Sequence, residues 1–177
     1  AAVGGRRRAL VGLTYRLWCT FVSFPLAHWV LGVGILAFGG RFSGSGGALD
    51  FAGGTVVHIS SGISALVCAM VLGRRLGWGT EDMRPHNLTY TVIGAAMLWV
   101  GWFGFNAGSE LASDDLTSSA FATTHFAAAA GAIAWAFMDW LARGKPSVLG
   151  TASVAMAGVV WTTPGAGLGT VMRAGST

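Results

Sequence analysis

An acid and a histidine eight residues apart, Asp50 and His58, bracket the segment DFAGGTVVH in a chain that is otherwise mostly apolar. Ionisable groups at the mouth of, or inside, a membrane-length segment are costly, and they point first to a transport path. Neutral imidazole carries one donor and one acceptor nitrogen, so His58 in a narrow lumen could hand a proton along. Its plain alternative is a satisfied core histidine. Asp50 reads as a helix N-cap, its carboxylate accepting from the free N–H groups of the first turn. It also reads as a charge that favours a cation at a pore mouth; the two roles are compatible. If the helix were continuous from Asp50, His58 would lie ~12 Å deeper. A relay needs a second imidazole, and His28 and His125 are at suitable depth, whereas His86 falls in a polar loop.

The other stretch with chemical content is WVGWFGFNAGS, residues 99–109, where Trp102 and Phe105 alternate with glycines ahead of Asn106 and Ser109. An interfacial aromatic belt accounts for the rings. It does not account for so many glycines beside polar side chains. Aromatic faces attract a desolvated cation, and a serine hydroxyl accepts a hydrogen bond from it, so such a site favours a hydrogen-bond-donating ion over a bare metal ion. Cys19 and Cys68 show neither CxxC nor His-rich ligand spacing and read as buried thiols. No metal and no cofactor is expected.

These residues must be positioned in lipid. Of 177 residues, 53% are hydrophobic and only 10% charged, which is too apolar for a soluble domain and predicts an all-α, polytopic membrane helix bundle. The 28 glycines suit close helix packing. Five spans are expected, at 9 to about 39, 51–73, 88–108, 117–141 and 148–172, in a single membrane domain covering the whole chain. Arg6 to Arg8, the loop with Arg74, Arg75 and Arg84, and the turn RGKPS with Arg143 and Lys145 place three basic segments on the cytoplasmic side; Glu110, Asp114 and Asp115 mark an outer loop. The net charge of +4 is thus an orientation signal, not a nucleic-acid surface. Thr162, Thr163, Pro164 and Gly165 should break the fifth span. The chain begins with Ala1 and stops just after an apolar run, which reads as a piece of a longer protein.

DFAGGTVVHISSG at 50–62, RPHN at 84–87, GWFGFNAGS at 101–109 and RGKPS at 143–147 resemble, in order and spacing, the motifs of the ammonium transporter family (Amt/Mep, with the Rh proteins as distant relatives). The resemblance covers essentially the full chain. It implies an eleven-helix inverted-repeat fold, of which these are spans four to eight, in a homotrimer with a pore through each subunit. It further implies that His58 is the first of two pore histidines, Asp50 the acid near the outer recruitment site, Phe105 one of two gate phenylalanines, and Ser109 the hydroxyl that holds ammonium. The second histidine and the other phenylalanine belong to spans outside this chain. One position departs from the pattern. Certain bacterial members carry an aromatic three residues after the PxAH segment, where this chain has Leu31, with Trp29 two residues earlier.

The resemblance therefore implies no enzyme but a multi-pass protein of the cell membrane that binds ammonium outside, removes a proton and conducts ammonia along an apolar, histidine-lined pore. A PII-type regulatory protein on the cytoplasmic face is an implied partner, along with the lipid bilayer. Two rivals stand beside it: an ammonium sensor of the same fold, and a membrane redox protein with His58 and His125 as axial haem ligands.

Overall fold

The computed structural model describes residues 8–38, 46–82 and 84–167, and every regular element among them is helical, apart from one isolated bridge between Ala37 and Ala48. Arg6 and Arg7, most of the Gly- and Ser-rich loop at 39–48 and the end of the fifth predicted span lie outside the described residues. Helix α1 (Arg8–Trp18) passes through a π-helical turn (Cys19–Ser23) into α2 (Phe24–Val30). A second π-helical turn (Gly54–Ile59) leads into α3 (Ser60–Leu72). Helix α4 (Leu88–Asn106) ends in a 3-10 turn (Ala107–Glu110), α5 spans Asp115–Arg143, and α6 (Val148–Thr162) ends in a 3-10 turn (Thr163–Gly165).

Three stretches among the described residues are long and apolar enough to cross a membrane: Gly54–Leu72, Leu88–Glu110 and Asp115–Arg143. They match the second, third and fourth predicted spans. The first predicted span is shorter than its apolar run suggested. Helix ends at Val30 because the chain folds back on itself: Gly34 donates to the His28 carbonyl at 3.1 Å, and a side chain at Gly34 would collide with the backbone of His28 and Trp29. The fifth starts and breaks where expected as far as the described residues reach. Helix α6 has only 15 residues, ~22 Å at ~1.5 Å per residue, before the expected break at Thr163 and Pro164 tightens it into a 3-10 turn.

Small residues set the packing. Helices α5 and α6 cross where Gly131 lies against Val154 and Gly158 against Ala127, the reversed order of an antiparallel pair; a Cβ on either glycine would run into the facing carbonyl. Ala120, Ala128 and Val159 are fully buried nearby. The first half of α4, the last half of α5 and the first half of α6 line a common apolar cavity of about 510 Å³. At the opposite end Asn106 of α4 donates to Thr124 of α5 at 3.0 Å, and Trp102 of α4 donates to Thr163 at 2.9 Å. The three helices thus alternate in direction. On the other side Trp18 ties α1 to α3 through Ser64 at 2.7 Å.

The caps follow the sequence. Asn87, Asp114 and Ser147 accept from the N–H three residues on, at Tyr90, Thr117 and Gly150, and so open α4, α5 and α6. Cys19 is half-buried and Cys68 exposed, so the expectation of two buried thiols fails for Cys68, which lies on an outward face of α3.

Candidate functional site

Asp50 caps the first turn of the π-helical segment as expected, its carboxylate accepting from Gly54, Thr55 and Val56 N–H. It does so from four residues ahead of Gly54 and not from the position that opens the helix, which is Gly53. It sits in a turn before the π-helical segment, and its carboxylate closes that turn by accepting four backbone hydrogen bonds. Oδ1 receives Gly53 N–H at 3.1 Å and Gly54 N–H at 2.6 Å; Oδ2 receives Thr55 N–H at 2.9 Å and Val56 N–H at 3.3 Å. The distance expected for a continuous helix from Asp50 to His58 therefore does not apply, because the rise begins only at Gly54.

The two glycines have separate reasons, and only Gly54 is the close helix contact expected. Gly53 has φ +93°, a left-handed conformation that side chains resist, and a methyl there would touch Leu31, Val57 and Phe105. Gly54 is pressed against the ring of Pro164, leaving no room for a Cβ. Phe51 N–H donates to the Pro164 carbonyl at 2.8 Å, so the turn at 50–54 is docked on the broken end of α6.

This docking delivers His58 to α4. The imidazole stacks on Trp102 with ring centroids 5.0 Å apart and 23° between planes, and Phe105 closes a second side at 5.5 Å. Trp102 and Phe105 themselves meet at 5.9 Å. His58, Trp102 and Phe105, with Met97, Leu98 and Gly101, line a largely apolar cavity of about 460 Å³. His58 Nε2 is buried without a hydrogen-bond partner among the described residues.

Ser109 stands one turn beyond Phe105, and its hydroxyl donates to the Phe105 carbonyl at 2.6 Å, which leaves the oxygen lone pairs as acceptors. Leu31 is half exposed and lines a separate cavity of about 300 Å³ with Asp50 and Phe51. The six sequence-predicted residues therefore form two groups: Trp102 and Phe105 of α4 with Ser109 of the turn that follows and His58 packed against them, and Leu31 with Asp50 around a second cavity.

The other histidines are elsewhere. His125 of α5 is exposed and packs on Trp99 at 5.5 Å and Phe103 at 6.1 Å. Those residues point from a different side of α4 than Trp102 and Phe105, so the two imidazoles do not face one another as a haem pair would. His28 is exposed near the end of α2.

Sequence reasoning gave Thr163 and Asn106 no partner and missed Asp139 altogether. Thr163 was noted only as part of a helix break, yet it is fully buried and holds Trp102. Asn106, also fully buried, is clamped by Thr124. Asp139 is only 4% exposed and accepts from Trp135 Nε1 at 3.1 Å, from Ser147 N–H at 3.1 Å and from the Ser147 hydroxyl, with Arg143 Nε at 3.5 Å from its other oxygen. The signal for Asp139 was present: an acid four residues before an arginine, beside the Ser147 cap.

The helices, their span lengths and the aromatic-flanked imidazole define a polytopic helical membrane protein. Its family model, the Ammonium Transporter Family, matches residues 1–175, and the chain belongs to that family. It is 51% identical over 151 residues to an ammonium transporter of Bacillus subtilis, covering 85% of this chain and 35% of that protein. Against ammonium transporter Amt1 of Archaeoglobus fulgidus the identity is 49% over 151 residues, covering 85% and 37%. The crystal structure of Candida albicans Mep2 superposes with a TM-score of 0.80 at 35% identity, covering 93% of this chain and 36% of that one. The chain thus spans about a third of the length of these relatives.

Proposed function

We propose that the protein carries ammonium across the membrane, recruiting it at the outer end of α4, removing a proton and passing ammonia along His58. The observation that carries this reading is the His58 imidazole, held between Trp102 and Phe105 with Nε2 unpartnered at the wall of an apolar cavity. A bare cation in such a cavity costs several kcal/mol or more, whereas neutral ammonia costs far less and can exchange hydrogen bonds with an imidazole nitrogen. Ser109 fits the recruiting role because its proton is committed to the Phe105 carbonyl, leaving an acceptor for ammonium N–H. Phe105 and Trp102 supply ring faces for the cation, and Phe105 stands between Ser109 and His58 as a gate.

Asp50 acts through the backbone it holds, since both its oxygens are occupied by N–H donors. Its negative charge adds a favourable field at the outer mouth. Leu31 offers that mouth no aromatic face, which makes the outer cation site weaker than one with a ring at this position. By family resemblance the protein assembles as a homotrimer, and a PII-type regulator docks on its cytoplasmic face.

The test is His58→Ala in the full open reading frame that contains this chain, expressed in a host without ammonium transporters of its own. Ammonium-limited growth should be lost or altered in selectivity. Normal growth with unchanged selectivity would sink the assignment.

A further inference from the structure

We infer that Thr163 is a positioning residue for the pore, fixing the indole of Trp102 against His58 and so setting selectivity without touching the permeating species. Thr163 lies in the 3-10 turn after α6, is fully buried, and does not line the cavity that His58 and Trp102 share. Both functions of its hydroxyl are used. The oxygen accepts from Trp102 Nε1 at 2.9 Å and the proton goes to the Val159 carbonyl at 2.7 Å. That second bond aims the lone pairs at α4, where the indole N–H meets them.

The next residue does the same for the partner ring. The Pro164 carbonyl accepts from Phe51 N–H at 2.8 Å, and the Pro164 ring abuts Gly54, the first residue of the turn that presents His58. One short break in α6 therefore holds the Trp102 side and the His58 side of a stacked pair with centroids 5.0 Å apart. Loss of the threonine oxygen frees the indole to rotate about its χ angles. The cavity wall that discriminates ammonium from a larger amine then loosens. This inference rests on the transport reading above.

The experiment measures ammonium flux, and the ratio of ammonium to methylammonium flux, in proteoliposomes containing the full-length protein. Thr163→Val, which keeps the shape and removes the acceptor, should change the ratio roughly fivefold, the equivalent of one lost hydrogen bond. Thr163→Ser should stay within about twofold of wild type, because it retains the acceptor. Trp102→Phe, which removes the donor from the other side, should shift the ratio in the same direction. Adding Thr163→Val to Trp102→Phe should then change nothing further.

An unchanged ratio in assembled Thr163→Val, or an undiminished effect of Thr163→Val in the Trp102→Phe background, would overturn the inference. Should Thr163→Val not assemble, a wild-type ratio in Trp102→Phe would overturn it equally. Wild-type protein with no flux above empty liposomes would instead overturn the transport reading itself.

Discussion

The carboxylate of Asp50 offers the sharpest separation between a structural and a direct role. Asp50→Asn keeps the shape and one acceptor oxygen. If that oxygen stays with Gly53 and Gly54, the new amide NH₂ faces the N–H groups of Thr55 and Val56, which now meet at 2.9 and 3.3 Å a donor in place of an acceptor. Two of four charge-assisted bonds are lost, and the two that remain become neutral ones. Hydrogen bonds to charged groups contribute about 1.5–3 kcal/mol each. Bonds sharing one carboxylate are not additive, so a local loss of about 2–4 kcal/mol is expected, above the ~0.5–2 kcal/mol of an ordinary N-cap. The perturbation should be read by backbone hydrogen exchange in the purified, assembled protein. Amides of residues 53–56 should exchange roughly 10²-fold faster, while the middle of α5 stays protected. Ammonium flux should fall with that protection. If flux collapsed while exchange at 53–56 stayed within about twofold of wild type, the carboxylate would be acting on the ion directly, and the cap-based account of Asp50 would be refuted.

Other predictions follow from the packing and the outer mouth. Gly158→Leu should push α6 off the Ala127 carbonyl of α5 and cost at least about 1–3 kcal/mol, seen as a lower melting temperature of the assembled protein; an unaltered melting temperature would argue against that crossing. Gly54→Ala should strike the Pro164 ring and displace the turn before His58, lowering flux more than the same change at Gly104, whose missing side chain faces open space. Leu31→Trp should add a ring beside Asp50 and strengthen methylammonium competition for uptake by roughly twofold to thirtyfold, the range of a cation–π contact, and unchanged apparent affinity would count against a weak outer site. Ser147→Ala should remove both the α6 cap and a donor to buried Asp139, destabilising the protein by about 1–3 kcal/mol in thermal denaturation without altering the ammonium-to-methylammonium ratio.

The membrane class and the three long spans were legible in the sequence, and so was the placing of Trp102, Phe105 and Ser109 on successive turns. Each depends on local composition or on motifs that sit on neighbouring turns: apolar runs of membrane length, and the aromatic, glycine and serine spacing from Trp102 to Ser109 on α4 and the 3-10 turn that ends it. A helix repeats every 3.6 residues, so what shares its face can be read from numbers alone. The end of the first span was not legible, because Val33, Ile35 and Leu36 continue the apolar run while Gly34 lets the chain fold back. The π-helical turn that carries His58 was equally hidden, since it comes from an extra residue per turn that no periodicity announces. Only tertiary structure brought Thr163 to Trp102 across 61 positions and Pro164 to Phe51. Those contacts turn Asp50, the broken end of α6 and the aromatic face of α4 into one setting for the imidazole. The reason is physical: a buried indole N–H or backbone N–H must find an acceptor, but which one it finds is decided by where the helices cross.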